Sequence, residues 1–466
     1  MKKAFAQIRD HFSPRRTEAV LLTLVIAVIF SGFLMAAAAS QVLEHQDPLP
    51  AMRAALLAPL IVSLALAGIH WVLKWRRSDA EQIILPLVGL LFASGLTMIW
   101  RLRGPAGVNQ QLGRGFLPGV LVMAALILRP NWIEYIRRWA IPISVIGLAL
   151  PFLTAIFGVV DETGARLALR IGPLPPIQTT EFIKVALIIF LAWFVEREGQ
   201  AAVGRGRPIL VWLRLPQLRY FIPGALFVVL ATLALVMMSD FGAVLILGAL
   251  FVAMLYAGFE TRVFLTISAI GLGLALVMGV ALYFTWHIPT VIQYRFLAFL
   301  DPWSQAMIVE KGQSTGITIA QGPGYQIQQA IYAVISGGLI GTGLGYGSPG
   351  YIPLAASDFI FAAIIEEMGL VVGLALILFF AILIFRILRS ALLLPQAQVF
   401  ERMLLIGIGV HLFVQVFIMV GGTLDLLPLT GVTIPFTSQG GMALLVNLAE
   451  VGLVLALVQR AEGAGG

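Results

Sequence analysis

The chain has 466 residues, 60% of them hydrophobic and only 11% charged, with a formal net charge of +7 and a mean hydropathy of +0.97. A soluble domain carries roughly 25% charged residues, so this composition excludes one. The absence of cysteine excludes disulfides, thiolate chemistry and Cys-ligated metals. The five histidines (His11, His45, His70, His287 and His411) are scattered and form no metal-ligand spacing.

Apolar runs recur at 18–40, 51–73, 82–99, 115–128, 139–159, 180–195, 219–238, 242–258, 263–286, 358–385, 403–424 and 439–458. Their lengths, mostly about 17–25 residues without period-2 alternation, predict membrane-spanning helices and not barrel strands. The fold class expected is therefore an all-α polytopic membrane protein with about 12 transmembrane helices. A glycine-rich, weakly apolar stretch at 327–347 reads as re-entrant or peripheral. With the N-terminus inside, about two thirds of the 30 Lys and Arg fall on the cytoplasmic side, as the positive-inside rule requires. That distribution accounts for the +7 without a nucleic-acid partner. It also predicts a multi-pass protein with both termini cytoplasmic and an extracytoplasmic loop at about 287–357, the longest connection in the chain.

Charges inside spans are costly and tend to mark function. Glu181 and Lys184, spaced i,i+3, can form an ion pair that locks the bundle or present a cation to an anionic headgroup. Asp240, in Met-Met-Ser-Asp-Phe-Gly, sits at a break between two helices and suits an N-cap. Asp358 reads as an N-cap or first-turn acid. At 100° per residue Asp358 and Glu366 are about 80° apart, near enough to share a cavity. Glu366 and Glu367 cannot share one face, so one of them is expected to pair with a neighbouring helix. Between Gly337 and Gly347 three GxxxG spacings overlap (337/341, 341/345 and 343/347). No strand precedes them to make a nucleotide loop, so they imply close backbone packing or a re-entrant turn.

From Gly164 onward the chain resembles the SEDS proteins (shape, elongation, division and sporulation; the FtsW/RodA/SpoVE family). The segments that carry the likeness are Arg295-Phe-Leu-Ala-Phe-Leu-Asp-Pro-Trp303, Gly322-Pro-Gly-Tyr-Gln-Ile-Gln-Gln-Ala330, Ser336-Gly-Gly-Leu339 and Ser357-Asp-Phe-Ile-Phe-Ala-Ala-Ile-Ile-Glu-Glu-Met-Gly369. Gly164-Ala-Arg166, Gln178-Thr-Thr-Glu-Phe-Ile-Lys184, Ser239-Asp-Phe-Gly242, Leu427-Pro-Leu-Thr-Gly431 and Ile434-Pro-Phe-Thr-Ser438 add to it.

The resemblance implies a ten-helix SEDS core over residues 79–466, behind an N-terminal extension of two transmembrane helices over 1–78. It implies a peptidoglycan glycosyltransferase that polymerises lipid II, an undecaprenyl-pyrophosphate-linked precursor, at the outer face of the bacterial cytoplasmic membrane. The implied partners are lipid II, a class B penicillin-binding protein and the bilayer. No cofactor is firmly implied, and a divalent cation such as Mg2+ is left open as an aid to pyrophosphate departure. Attack of a sugar hydroxyl on an anomeric carbon needs a carboxylate base and cations. The family's acidic position, four residues after Asp301, is Gln305 here, and the segment before Gly322-Pro-Gly-Tyr325 is expanded. Asp301 and Glu310 are then the carboxylates expected in the catalytic role. Arg166, Lys184, Arg295, Gln326, Asp358 and Glu366 are expected to bind substrate, with Glu181, Asp240 and Glu367 structural. A flippase for the lipid-linked precursor and a non-catalytic scaffold for a penicillin-binding protein are the alternatives.

Overall fold

In the computed structural model, the structure describes residues 15–43, 47–76, 81–160, 166–170, 172, 176–204, 207–210, 213–215, 218–259, 290–310 and 313–463. It opens on two antiparallel arms: α1 (Arg16–Leu43), then α2 (Leu49–Ala55) running into α3 (Leu57–Trp75). Next come α4 (Ile84–Gln111), a π-helical turn at Leu112–Phe116, α5 (Leu117–Leu128), α6 (Trp132–Arg138) and α7 (Ala140–Phe157). A small antiparallel sheet of β1 (Val159–Val160), β2 (Arg166–Leu169) and β3 (Ile177–Gln178) leads into α8 (Thr179–Gly204). The hairpin β4 (Arg207–Leu210) and β5 (Leu213–Leu215) precedes α9 (Leu218–Met237) and α10 (Phe241–Gly258). The segment from 290 holds α11 (Thr290–Leu300), the hairpin β6 (Met307–Glu310) and β7 (Gln313–Thr318), and α12 (Pro323–Gly337). The chain closes with α13 (Ile360–Leu393), α14 (Val399–Thr423) and α15 (Gly441–Gly463).

Eight helical stretches among the described residues are long and apolar enough to cross a membrane. The expected runs at 82–99 and 115–128 fall in one 45-residue stretch, Ile84–Leu128. The stretch is nonetheless two arms. Gly104 has a non-helical backbone (φ 59°, ψ −158°), and the rings of Phe92 and Phe116 stack with centroids 4.4 Å apart. In a straight helix the 24 residues between them would hold them roughly 36 Å apart, so the chain reverses at Gly104. The run at 219–238 appears as the shorter apolar helix Ile222–Met237. The run at 180–195 lies in α8, whose first turn carries Glu181. The run at 263–286 lies outside the described residues.

The bundle is inverted relative to a soluble protein. Peripheral helices present bare apolar faces, such as Leu60 and Leu64 on α3, Val145 and Ile146 on α7, and Leu374 and Leu378 on α13. α14 and α15 are mostly buried, and α14 packs against α8, α10 and α13 while α15 lies along α5. α1 packs along α4, which joins the first two arms to the rest.

The expectation of an all-helical chain needs one addition, because short hairpins occupy the connections. Backbone that leaves the helices still has to pair its N–H and C=O groups, and a local ladder is the shortest way to do so.

Helix α13 is broken at Gly369 (φ 87°, ψ 164°). The glycine-rich segment 338–348 lies against the break and pairs with it like a strand. Thr342 and Gly343 donate their N–H to the carbonyls of Glu366 and Glu367, each at 2.9 Å. Leu370 and Val371 donate to the carbonyls of Gly338 and Leu339, at 2.9 and 3.2 Å. Backbone groups freed inside a membrane need such partners, since lipid offers none. The GxxxG spacings therefore serve close packing, but not between helices. A Cβ on Gly341 would lie 2.3 Å from the carbonyl oxygen of Glu367, and one on Gly337 2.2 Å from that of Ile365.

Candidate functional site

One end of the bundle, here the loop face, collects the breaks between helices and the segment 290–358. On this face Glu181 and Lys184 in the first turns of α8 form an ion pair of 2.7 Å, with Lys184 only 2% exposed. Of the two sequence readings for Lys184, this geometry is the internal ion pair. Asp240 N-caps α10, its Oδ1 accepting the Ala243 N–H at 2.9 Å. Burial pushes the Asp240 carboxyl above its ordinary range. The Ala243 N–H and the charges of Lys184 and Arg295 pull it down, while Glu181 raises it.

Arg295 on α11 also acts on Asp358. Burial pushes the Asp358 carboxyl up to about 6, against a hydrogen bond from Ser357 and the charge of Arg295. Asp358 is not the expected helix cap. Helix α13 begins at Ile360, Phe359 occupies the cap position, and no side chain caps it. The Asp358 N–H instead closes a turn on the carbonyl of Leu354, and Leu354 itself is left-handed (φ 57°). The connection between α14 and α15 passes close by: a Cβ on Gly431 would lie 3.6 Å from Asp358 Oδ2. Asp358, Arg295, Asp240 and the Glu181–Lys184 pair, from four separate parts of the chain, thus share one electrostatic neighbourhood.

Glu366 and Glu367 are both buried and both engage the glycine-rich segment. Glu366 Oε1 accepts the Ser348 N–H at 2.7 Å, so this carboxylate grips the glycine-rich loop. Glu367 fulfils the expectation of a partner on another helix. It accepts from Arg101 Nε of α4 at 3.0 Å and from the Gly345 N–H at 2.9 Å. Arg101 Nη2 in turn donates to the carbonyls of Gly345 and Gly347, each at 3.2 Å. Sequence reasoning missed Arg101 in this role. The available signal was its place directly after Trp100, a cation at the end of an apolar run.

The remaining expected residues lie apart from this neighbourhood. Asp301 is exposed at the end of α11 and its Oδ1 accepts the Trp303 N–H at 3.1 Å, a turn that closes on itself. Glu310 ends β6, its backbone paired with Gln313 across the hairpin, and its side chain lies outside the described residues. Arg166 Nη1 donates to the carbonyls of Ala155 and Ile156 at 3.2 and 2.5 Å, which seats it on the C-terminus of α7. Gln326 has no hydrogen bond to a described residue. Its neighbour Gln328 ties the loop, donating to the carbonyls of Pro302 and Ala320 at 2.6 and 3.3 Å. Among the described residues, no three His, Asp or Glu side chains gather into a set able to hold a metal ion.

The model of the FTSW_RODA_SPOVE family, described as "Cell cycle protein", matches residues 81–462. The chain is 30% identical over 403 residues to peptidoglycan glycosyltransferase RodA of Mycobacterium tuberculosis, covering 84% of this chain and 80% of that protein. It is 32% identical over 341 residues to stage V sporulation protein E of Bacillus subtilis, covering 72% and 83%. Among solved structures it resembles a chain from a study of structural coordination of polymerization and crosslinking by a peptidoglycan synthase complex. There the TM-score is 0.63 at 25% identity, over 82% of this chain and 98% of that one. The crystal structure of the rod shape determining protein RodA of Thermus thermophilus has the same fold, with a TM-score of 0.52 at 24% identity over 82% and 97%.

Proposed function

Since this chain belongs to the FtsW/RodA/SpoVE family, we propose that it is a peptidoglycan glycosyltransferase that polymerises lipid II at the outer face of the bacterial cytoplasmic membrane. In this reading the loop face is extracytoplasmic and both termini are cytoplasmic. The role is in building the wall during elongation or division.

The observation that carries the reading is the place of Asp358 in the turn before α13, where burial pushes its carboxyl up to about 6 and it lies within the field of the Arg295 cation. Polymerisation joins a sugar hydroxyl to the anomeric carbon of a second precursor while the bond from that carbon to pyrophosphate breaks. A base takes the hydroxyl proton, and its efficiency is greatest when its pKa approaches the working pH. Asp358 is that base here. Arg295 offsets the negative charge that develops on the departing pyrophosphate. The Glu181–Lys184 pair, closed on itself, holds the floor of the site and biases Asp240 instead of binding the headgroup directly. Asp301, exposed and held only by its own turn, is the second candidate for the base, and Glu310 the third.

The first structural relative is part of a peptidoglycan synthase complex that coordinates polymerization and crosslinking, and the partner proposed for this chain is a cross-linking penicillin-binding protein. An apolar groove between α13 and α14, lined by Phe380, Ile384, Phe413, Phe417 and Leu427, offers side chains of a membrane-spanning helix of that partner a place to seat.

The deciding experiment is polymerisation of lipid II by the purified protein, alone and with its cognate penicillin-binding protein. Loss of glycan strands in Asp358→Asn, with strands retained in Asp301→Ala and Glu310→Ala, is the expected result. Strands from Asp358→Asn and none from Asp301→Ala would move the base to Asp301. No product from the unmodified protein in any condition, together with headgroup translocation in liposomes, would replace the polymerase by a flippase. Partner binding with neither activity would leave a scaffold.

A further inference from the structure

At the end of the first two arms opposite the loop face lies a charged cavity that the reaction does not use. It has a volume of about 210 Å³ and is lined by Arg15, Arg16, Val20, Thr23, His70 and Lys74, among others, where the start of α1 meets the end of α3. The two ends of α1 are far apart. Ala39 touches Gly345 of the glycine-rich segment, and Arg16 is 23 residues earlier, roughly 35 Å along the helix.

Among the described residues the charges lining the cavity do not balance. Glu18, with 0% of its surface exposed, is held by the Arg15 guanidinium and by His70 Nδ1. One carboxylate thus meets Arg15 and the imidazole and is saturated by them. Arg16 and Lys74 also face the cavity, and neither has an ion-pair partner among the described residues. The first turn of α1 adds the partial positive charge of a helix N-terminus. Among the described residues the cavity therefore presents Arg16 and Lys74 beyond the cations that meet its acid, Glu18.

The shape of the surroundings says what kind of anion fits. The wall formed by Val20 continues along the same face of α1 as Leu24 and Val28, which are 59% and 46% exposed. Residues at i, i+4 and i+8 make one continuous stripe, and in a bilayer this stripe faces acyl chains. The cavity is smaller than the roughly 300–1,000 Å³ of a drug-sized ligand site, which suits one headgroup. We propose that the junction of α1 and α3 binds an anionic glycerophospholipid, its phosphate between Arg16 and Lys74 and one acyl chain along Val20, Leu24 and Val28.

The test uses the full chain in nanodiscs of phosphatidylcholine with and without phosphatidylglycerol. Thermal shift and lipid retention by native mass spectrometry are the readouts. Phosphatidylglycerol raises the melting temperature of the unmodified protein and stays bound. In the Arg16→Gln, Lys74→Gln double variant its affinity falls on the order of 30-fold, the weight of two cations at an anionic surface. The charge-keeping Arg16→Lys, Lys74→Arg variant retains the lipid, which separates loss of charge from loss of fold. Equal retention by the neutral and the unmodified proteins would overturn the site. Inorganic phosphate protecting as well as the lipid would overturn the lipid and assign the cavity to a soluble anion.

Discussion

Asp358→Asn tests the chemistry and the energetics of the loop face together. The carboxyl is raised from 3.8 to about 6 because it is buried. Keeping the proton until about pH 6 corresponds to roughly 3 kcal/mol of differential stabilisation of the protonated form. In the unfolded chain the group ionises at its ordinary pKa, whereas the folded protein keeps the proton until about pH 6. The folded state thus binds more protons between those values, and its stability falls as pH rises through that window. The stabilisation is complete below about 4 and gone above about 6.

Asparagine cannot ionise, so Asp358→Asn should match the parent at pH 4 and exceed it at pH 7.5 by up to roughly 3 kcal/mol. Any loss of the Ser357 hydrogen bond would reduce that gain. Polymerase activity should behave in the opposite way. The parent should lose activity as pH falls through about 6, when the base is protonated, and the variant should be inactive throughout. Melting in detergent across pH, alongside strand synthesis from lipid II, measures both. An active variant, or a parent that keeps full activity well below about pH 6, would refute the assignment of Asp358 as the base. A variant no more stable than the parent at pH 7.5 would refute the burial argument itself.

Three further outcomes follow from the geometry. Gly341→Ala places a methyl group 2.3 Å from the Glu367 carbonyl oxygen at φ +82° and should disrupt two hydrogen bonds of the helix break, for a loss of about 2–4 kcal/mol. Gly350→Ala, where nothing lies within 4 Å, should melt like the parent in the same scan. Glu367→Gln removes the charge that meets Arg101 and should cost about 3–5 kcal/mol, a typical value for breaking a buried pair. Adding Arg101→Leu should recover part of that loss, and full additivity in the double-mutant cycle would count against the pairing. Asp240→Ala should lose about 1 kcal/mol as the cap of α10 disappears, while Asp240→Asn, still able to cap, should lose little. Equal melting of the two would mean that the cap contributes nothing measurable.

The helices were legible because membrane spans announce themselves by length and hydropathy, and the i,i+3 spacing of Glu181 and Lys184 is a local property that survives folding unchanged. Asp240 was legible for the same reason, since a carboxylate between two apolar runs has the next helix's N–H groups within reach. What escaped was long-range. Nothing near Arg101 in sequence names Glu367 as its partner, 266 positions away. The break at Gly369 was hidden inside an apolar run that reads as one uninterrupted helix. The GxxxG spacings signalled close approach but not its form, because glycine serves helix packing and left-handed backbone equally well. The partner of Glu366 escaped because a helical wheel assigns an angle to a side chain, whereas the Ser348 N–H comes from a loop with no wheel.

The clamp of Arg101 and Glu367 around Gly345 also dictates an order of assembly. Contacts between such distant parts of a chain form late, after the loop between them has closed. Until residues 338–348 arrive, the backbone groups exposed at the Gly369 break have no partner. During synthesis α1 and α4 must therefore wait in the bilayer while nearly three hundred further residues are made. Substitutions in the glycine-rich segment should accordingly lower the yield of inserted protein before they lower the activity of the molecules that do fold.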